Sequence, residues 1–288
     1  MMKTFLRTIG VVGVSFALVA CGTADEEENN STGGDGEGEG EEELTTVSIS
    51  ASNVPHAEIL EFASSQLAEE GIELDIHIAN DYIFPNVGLD SNEFDANYFQ
   101  HRPYLESQIA ENGFEFTEAG AIHLEPMGLY SQEHDSIDAI PDGATVLMSN
   151  SVADHGRVYS LLHEAGLITL EEGPGVDVTE QDISENPKNL TFQTSGVDAE
   201  LLPTAYEQNQ ADIIAINSNY AIGAGLSPLE DSLYIEEGDE NNPYVNLIVV
   251  RTGDEDRPEI QTLVDVLQSE EVQSFIEDEY AGAVVPVQ

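Results

Sequence analysis

Residues 47–78 read VSISASNVPHAEILEFASSQLAEEGIELDIHI, in which two short β-branched runs flank a helical stretch. The runs at 47–50 and 72–78 have the composition of strands, whereas Glu58 to Glu70 has that of a helix. A strand, a helix and a second strand in this order indicate a βαβ unit with parallel strands. This segment therefore predicts an α/β fold, in which helices cover a mostly parallel sheet.

The alternation of strand and helix patterns continues along the chain. A helix is predicted at 104–112, and the turn at 141–143 leads into an apolar run at 144–148 and a helical stretch at 152–165. Further elements are predicted at 191–193, 199–208, 212–216, 246–250, 257–268 and 270–280. The second series predicts a separate lobe, and ligands of open α/β sheets bind beyond the carboxyl ends of the strands.

The N-terminal segment has the order of a signal peptide, because Lys3 and Arg7 precede an apolar run at 9–20. That run is too short to span a membrane comfortably as a permanent helix. The letters LVACG at 18–22 resemble the lipobox of bacterial lipoproteins, in which the cysteine is acylated. Since Cys21 is the only cysteine, we expect a signal peptide at 1–20, a lipid on Cys21 and no internal disulfide. An ordinary signal peptide beside an incidental cysteine is the alternative.

The chain is strongly acidic, with 57 Asp and Glu against 7 Lys and Arg and a formal net charge of −50. Such a surface disfavours nucleic acid and anionic lipid, so the lipid anchor is the only expected contact with the membrane. Residues 21–44 hold little to bury and are predicted to be a disordered acidic tether. Because molar salt would screen the self-repulsion, we expect a halophile's protein at the outer face of the cytoplasmic membrane.

Arg157 is the most informative of the few cations. It ends the sequence SNSVADHGR at 149–157, which directly follows a predicted strand. An arginine at such a turn can bind a carboxylate in bidentate geometry, and helix N-terminal amides add positive potential. A surface ion pair with one of the many acids is the alternative that position alone leaves open.

Aromatic residues stand beside amides in two segments, NDYIFPN at 80–86 and FDANYFQHRPYL at 94–105. Aromatic walls with a few polar groups suit a small ligand that has an apolar arm and a charged end. Such clusters are also common in protein cores, and composition does not separate the two interpretations.

Five segments together resemble the NlpA/MetQ family, the methionine-binding lipoproteins of ABC importers. In the family's order they are VPHAEIL at 54–60, NDY at 80–82, DANYFQHRPYL at 95–105, ENPKNL at 185–190 and PYVNLI at 243–248. The resemblance implies an α/β two-lobed periplasmic-binding-protein fold (type II-like), with two crossovers between the lobes and the ligand in their cleft. We expect lobe 1 at 45–130 plus 243–288 and lobe 2 at 131–242, with crossovers near Tyr130 and Asn242.

The resemblance also implies a ligand site and its partners. It assigns the thioether arm of methionine to an aromatic wall of Tyr82, Phe99, His101 and Tyr104, where sulfur packs well against ring edges. It assigns the α-carboxylate to Arg157. It assigns the polar end of the amino acid to Asn150, Asn217 and Asn246. An ABC permease and its ATPase are the implied protein partners, and no cofactor, metal or catalytic residue is implied.

One loop departs from the family pattern. The family commonly has Asn-Asp-Pro-Thr-Asn before Gly-Arg, whereas residues 150–154 read NSVAD here. Asn150 and Arg157 keep their spacing, but Asp154 puts an acid near the expected carboxylate site. The ligand could therefore be L-methionine, a methionine dipeptide or another related amino acid.

Three other function classes compete with this one. An enzyme is disfavoured because no Gly-x-Ser-x-Gly, His-Glu-x-x-His or phosphate-binding glycine loop occurs. A zinc-binding receptor lipoprotein of an ABC importer is the stronger rival, although its candidate ligands lack a paired motif. Those candidates are His56, His77, His101, His123, His134, His155 and His163. A structural or adhesive lipoprotein is the third class, but such a role does not explain why Arg157 follows a strand beside a cluster of aromatic and amide residues.

Overall fold

The computed structural model describes residues 44–238 and 242–287. The expected signal peptide, the expected lipid on Cys21 and the tether up to residue 43 lie outside the described residues. Within the described part of the chain, no helix has both the length and the apolar character needed to cross a membrane.

Strands and helices alternate through both described ranges. The strands are β1 (Thr45–Ser52), β2 (Ile72–Ala79), β3 (Ala96–His101), β4 (Phe116–Leu124), β5 (Gly128–Tyr130), β6 (Thr145–Leu147), β7 (Thr169–Leu170), β8 (Ile183–Glu185), β9 (Thr191–Gln193), β10 (Ile213–Ile216), β11 (Tyr234–Ile235), β12 (Val245–Arg251) and β13 (Val285–Pro286). The helices are α1 (Glu58–Glu69), α2 (Phe84–Asp90), α3 (Arg102–Asn112), α4 (Val152–Glu164), α5 (Leu202–Glu207), α6 (Ser218–Gly223), α7 (Pro258–Leu267) and α8 (Glu270–Tyr280).

The first sheet has six strands in the order β13-β4-β12-β3-β1-β2. β1 pairs in parallel with β2 and with β3, and α1 joins β1 to β2. The βαβ unit predicted from residues 47–78 is therefore confirmed. Its apolar residues alternate with polar ones, so Val47, Ile49 and Ala51 point into a core that α1, α7 and α8 cover. β12 runs antiparallel between β3 and β4.

The second sheet has five strands in the order β11-β5-β10-β6-β9, beside a separate pair of β7 and β8. β10 and β6 are parallel, and α4 packs its apolar face over this sheet through Val158, Leu161 and Leu162. The chain passes from the first sheet to the second between Leu124 and Gly128. It returns between Ile235 and Val245.

Several helix boundaries differ from the sequence expectation for local reasons. α3 begins at Arg102 rather than Tyr104, because the His101 side chain accepts a hydrogen bond from the Tyr104 N–H and caps the helix. The helix predicted at 199–208 is a short 3-10 turn followed by α5, with Pro203 in the first turn of α5. α2 was not predicted; in the turn that precedes it, Asp81 accepts hydrogen bonds from the N–H groups of Ile83 and Phe84.

Candidate functional site

A narrow cavity of about 20 Å³ lies between the two sheets. From the first sheet and its loops it is lined by Tyr82, Phe99, Gln100, His101, Tyr104, Glu125 and Asn246. From the second sheet it is lined by Asp154, Arg157, Asn217, Ser218 and Asn219. Residues of both sheets therefore build one site.

Seven of the eight residues expected from the sequence line this cavity, and Asn150 does not. Asn150 is exposed, and its side-chain Nδ2 donates to Asp198 Oδ1 at 2.6 Å. Its backbone N–H donates to the carbonyl of Val197 at 2.9 Å. These two bonds turn Asn150 away from the cavity, because they tie its loop to the neighbouring segment of the second sheet.

Strand ends and helix starts bring the lining residues together. Phe99, Gln100 and His101 end β3, where the pairing with β12 shifts by one residue, and all three line the cavity. Asn246 on β12 is paired with His101 across the ladder. In the second sheet, β6 leads into α4 with Asp154 and Arg157 one turn apart.

Sequence reasoning did not assign Gln100, Glu125, Ser218 and Asn219 to the site. Ser218 and Asn219 begin α6 directly after Asn217 and β10, and Glu125 directly follows β4. The rule that ligands lie beyond strand ends could have found these three residues. Gln100 carries no such signal, because it lies within β3 and is buried against Asn86 and Asn97.

The aromatic wall is held by edge contacts and hydrogen bonds. The ring of Tyr82 lies 5.9 Å from Phe99, 5.8 Å from Tyr104 and 4.9 Å from Tyr220, measured between centroids. The Tyr104 hydroxyl donates to the Tyr82 carbonyl at 3.0 Å, and the Tyr82 hydroxyl donates to Asn219 Oδ1 at 2.8 Å. Burial raises the pKa of both Tyr82 and Tyr104 above the ordinary value, so both hydroxyls stay protonated.

His101 and Asp154 join the two sheets across the cavity. His101 Nδ1 accepts from the Tyr104 N–H at 3.2 Å, so the ring proton is assigned to Nε2, which donates to Asp154 Oδ1 at 2.9 Å. Burial opposes ionisation of Asp154, but hydrogen bonds from His101 and Asn217 and the charge of Arg157 hold its pKa below the ordinary value. Asp154 is therefore a buried anion.

Arg157 is 4% exposed and forms a buried ion pair. Its Nε donates to both carboxylate oxygens of Glu236 at 3.2 Å, and its Nη2 donates to Glu236 and, at 2.7 Å, to the Glu125 carbonyl. The guanidinium carbon lies 4.4 Å from the centroid of the Tyr244 ring. Burial opposes ionisation of Glu236, but the charge of Arg157 and its hydrogen bonds lower the pKa of that carboxyl. Arg157 Nη1 makes no hydrogen bond with the described residues.

Behind the cavity, Glu125 is held by two histidines. Its Oε1 accepts from His123 Nε2 at 2.9 Å and lies 3.3 Å from His56 Nε2, and its Oε2 accepts from the Asn219 N–H at 2.9 Å. Tyr98 contacts His123 Nδ1, and Asn246 Oδ1 lies 3.0 Å from His56 Nε2. Burial lowers the pKa of His56 to about 4 and that of His123 to about 3, so both rings are neutral at pH 7.

His56, His123 and Glu125 are also the residues of the cavity region that could hold a metal, since their ligand atoms lie within 4.8 Å of one another. The nitrogens that face Glu125 are already used in hydrogen bonds within the cluster. His56 Nδ1, on the other side of its ring, is buried and has no hydrogen-bond partner among the described residues. His101, the histidine considered as a metal ligand, contacts Asp154 and Tyr104 instead.

Comparison with known proteins connects this site to a family. The family model described as NlpA lipoprotein matches residues 47–288. Methionine-binding lipoprotein MetQ of Bacillus subtilis (strain 168) is 43% identical over 289 residues, which cover 100% of this chain and 99% of the relative.

Two solved structures extend the comparison. A pheromone cOB1 precursor/lipoprotein of the YaeC family from Enterococcus faecalis V583 has a TM-score of 0.81 at 43% identity, covering 84% of this chain and 100% of that chain. A nutrient binding protein from Burkholderia cenocepacia, solved bound to methionine, has a TM-score of 0.76 at 36% identity, covering 83% of this chain and 99% of that chain. The expected two-lobed periplasmic-binding-protein fold is confirmed.

Proposed function

The chain belongs to the NlpA lipoprotein family, and on that premise we propose that it captures methionine between its two sheets and delivers it to an ABC importer. The Bacillus relative is named for methionine binding, and the Burkholderia neighbour was solved with methionine bound. One observation of this chain carries the proposal: an aromatic wall and a buried arginine line the same cavity. Such a site suits a zwitterion with an apolar side chain.

The aromatic wall receives the thioether arm. Phe99, Tyr82 and Tyr104 all line the cavity, and the centroids of their rings lie 5.8–6.0 Å apart. A thioether sulfur packs favourably about 5 Å from an aromatic ring. The ring of His101 belongs to the same wall, because it packs against the ring of Tyr104 in a T-shaped contact. The wall selects a slim, polarisable arm over a charged one.

Arg157 and two amides receive the polar end of the amino acid. Because Glu236 occupies Nε and Nη2 of Arg157, we assign Nη1 to the ligand's α-carboxylate. Asn217 and Asn246 are buried in the same cavity, at 7% and 5% exposure, and supply amide groups beside it. The role proposed for Asn150 is different: it holds the loop before α4 against Asp198.

Two lobes that close around the ligand account for the contacts across the cavity. We assign the strands of the first sheet to lobe 1 and those of the second sheet to lobe 2. β5 falls at the end of the range expected for lobe 1, but it belongs to the second sheet and therefore to lobe 2. Two hydrogen bonds join the lobes, one from His101 to Asp154 and one from Tyr82 to Asn219. Opening would break these bonds and admit the ligand.

The compartment and partners follow from the family and the sequence. Relatives of this chain are named as lipoproteins, which supports an extracytoplasmic protein held by lipid on Cys21 and a tether at 21–44. The proposed partners are a membrane permease and its ATPase, which would take the captured amino acid. The net charge of −50 supports a salty exterior. In this function the protein carries out no covalent chemistry.

The zinc-receptor alternative gains no support from the Bacillus relative, which is named for methionine binding, or from the Burkholderia neighbour, which was solved with methionine bound. Calorimetry on the mature protein, with L-methionine and zinc titrated separately, tests the two against each other. We expect saturable heat with methionine at one molecule per chain. Saturable one-site heat with zinc, abolished by chelator and absent with methionine, would overturn the proposal.

A further inference from the structure

Asp154 places a buried negative charge in the cavity wall. Its side chain is 4% exposed and lies one helical turn before Arg157 on α4. Oδ1 accepts from His101 Nε2 at 2.9 Å, and Oδ2 accepts from Asn217 Nδ2 at 3.3 Å. Neither donor is an arginine or a lysine, so within the described part of the chain no permanently charged cation bonds to Asp154.

The carboxylates near the cavity differ in the acceptor positions that remain open. An ionised carboxylate offers about four lone-pair sites, two on each oxygen. Glu125 Oε1 already faces His123 and His56, and its Oε2 accepts from Asn219. Glu236 is bound to Arg157 through both oxygens. Of the two carboxylates that line the cavity among the described residues, Asp154 alone keeps one open position on each oxygen.

The described groups around Asp154 leave its negative charge without a lysine or arginine partner, so a cationic group of a ligand can pair with it. Arg157 bonds through Nε and Nη2 to Glu236 and to the Glu125 carbonyl, so none of its hydrogen bonds within the described residues reaches Asp154. The proton of His101 is already donated to Asp154, and its other nitrogen accepts from Tyr104, so the ring cannot add a second hydrogen bond. Asp154 therefore lines the cavity with a charge that no arginine or lysine among the described residues pairs with.

We propose that Asp154 is the counter-ion of the ligand's α-ammonium group and makes a free amine the condition for tight binding. This inference rests on the function proposed above and deepens it. Side chains three apart on a helix have Cβ atoms about 5–6 Å apart, so Asp154 and Arg157 lie on one face of α4, and both line the cavity. A ligand whose amine is blocked or replaced loses the contact with Asp154.

Two ligands of matching shape test the inference: L-methionine and its hydroxy acid analogue, in which a hydroxyl replaces the α-ammonium group. In the mature wild-type protein we expect methionine to bind at least about 30-fold more tightly, as for loss of one partner of a buried ion pair. Asp154→Asn keeps an acceptor for His101 but removes the charge. We expect this variant to reduce the preference at least about 10-fold.

Asp212→Asn is the matched control, because it makes the same chemical change at a carboxylate outside the cavity that accepts from the backbone N–H and hydroxyl of Thr145. Its preference for methionine is expected to equal that of the wild type, and thermal unfolding verifies that each variant is folded. A folded Asp154→Asn protein whose preference stays within twofold of wild type would overturn the inference alone. Failure of the wild type to bind methionine would overturn the proposed function as well.

Discussion

At the scale of single residues, Arg157 combines two roles that the sequence does not separate. Glu236 holds Nε and Nη2 of the guanidinium, and Tyr244 packs against its face. These contacts fix the orientation of a side chain that would otherwise have several rotamers. The remaining nitrogen, Nη1, is then presented in a fixed position, which lowers the entropy cost of binding a carboxylate.

Arg157→Ala tests this role directly. We expect methionine binding to weaken at least about 100-fold, because the change removes the ligand's partner and leaves Glu236 buried without its cation. Arg102→Ala is the matched control, since Arg102 bonds to Glu118 and lies outside the cavity. Calorimetry with both variants measures the effect. Equal affinities of the two variants would contradict the carboxylate role of Arg157.

The buried histidines behind the cavity predict a pH dependence of stability. His56 and His123 have pKa values of about 4 and about 3 in the folded protein, below the ordinary value near 6.5. Between the folded pKa values and the ordinary value near 6.5, the two histidines bind protons in the unfolded chain but not in the folded chain. Their stabilising contribution is therefore complete above pH 6.5 and declines as the pH falls toward 4.

His123→Gln should reduce that decline, because one of the two titrating rings is absent. His77→Gln is the control, since the side chain of His77 is 43% exposed. Melting temperatures of the parent and both variants, measured from pH 6.5 to pH 5, give the comparison. If the His123 variant loses as much stability over this interval as the His77 variant, the histidine pair does not cause the dependence.

At the scale of elements, α4 depends on a glycine in its interior. A Cβ added at Gly156 would lie 2.1 Å from the carbonyl oxygen of Val176 and 2.7 Å from its carbonyl carbon. This contact involves backbone, which a side-chain rotation cannot relieve. Gly156 thus allows the segment around Val176 to pack against the helix that carries Asp154 and Arg157.

Gly156→Ala is therefore expected to destabilise the protein by about 1–3 kcal/mol, as overpacking does in a packed interior. An unobstructed glycine inside a helix would instead gain up to about 1 kcal/mol from the same change. Gly223→Ala in α6 is the control, because nothing lies within 4 Å of its added Cβ. Denaturant midpoints of the two variants should move differently, with a loss only at Gly156. A stabilised Gly156 variant would contradict the packing argument.

Sequence patterns predicted the elements better than the contacts among them. The β1-α1-β2 unit and α8 were recoverable because apolar periodicity and turn residues are local properties. Seven cavity residues came from the family resemblance. The Glu236 pair with Arg157 was not predicted, because the two residues are 79 positions apart and acids are abundant throughout this chain. The exclusion of Asn150 depends likewise on a distant partner, Asp198.

At the scale of the whole molecule, charge is the dominant property. A net charge of −50 on 288 residues disfavours the compact state through self-repulsion. Arg102, Arg157, Arg251 and Arg257 all pair with acids, so few cations are left to offset the remainder. The stability of the fold should therefore depend on screening by dissolved ions.

The melting temperature is expected to rise with sodium chloride, and most steeply at low salt. The Debye length falls from about 30 Å at 0.01 M to about 10 Å at 0.1 M and about 3 Å at 1 M. Unfolding by calorimetry across this series, at constant pH, measures the dependence. A melting temperature that stays flat from dilute buffer to molar salt would contradict the role of self-repulsion.

The central claim is that the cavity between the two sheets selects methionine. The most direct measurement mixes the mature protein with all twenty amino acids at equal concentration, removes unbound molecules by desalting, and identifies by mass spectrometry what denaturation releases. The account predicts methionine at close to one molecule per chain, well above every other amino acid. Release of a different amino acid at that stoichiometry, or retention of none, would contradict it.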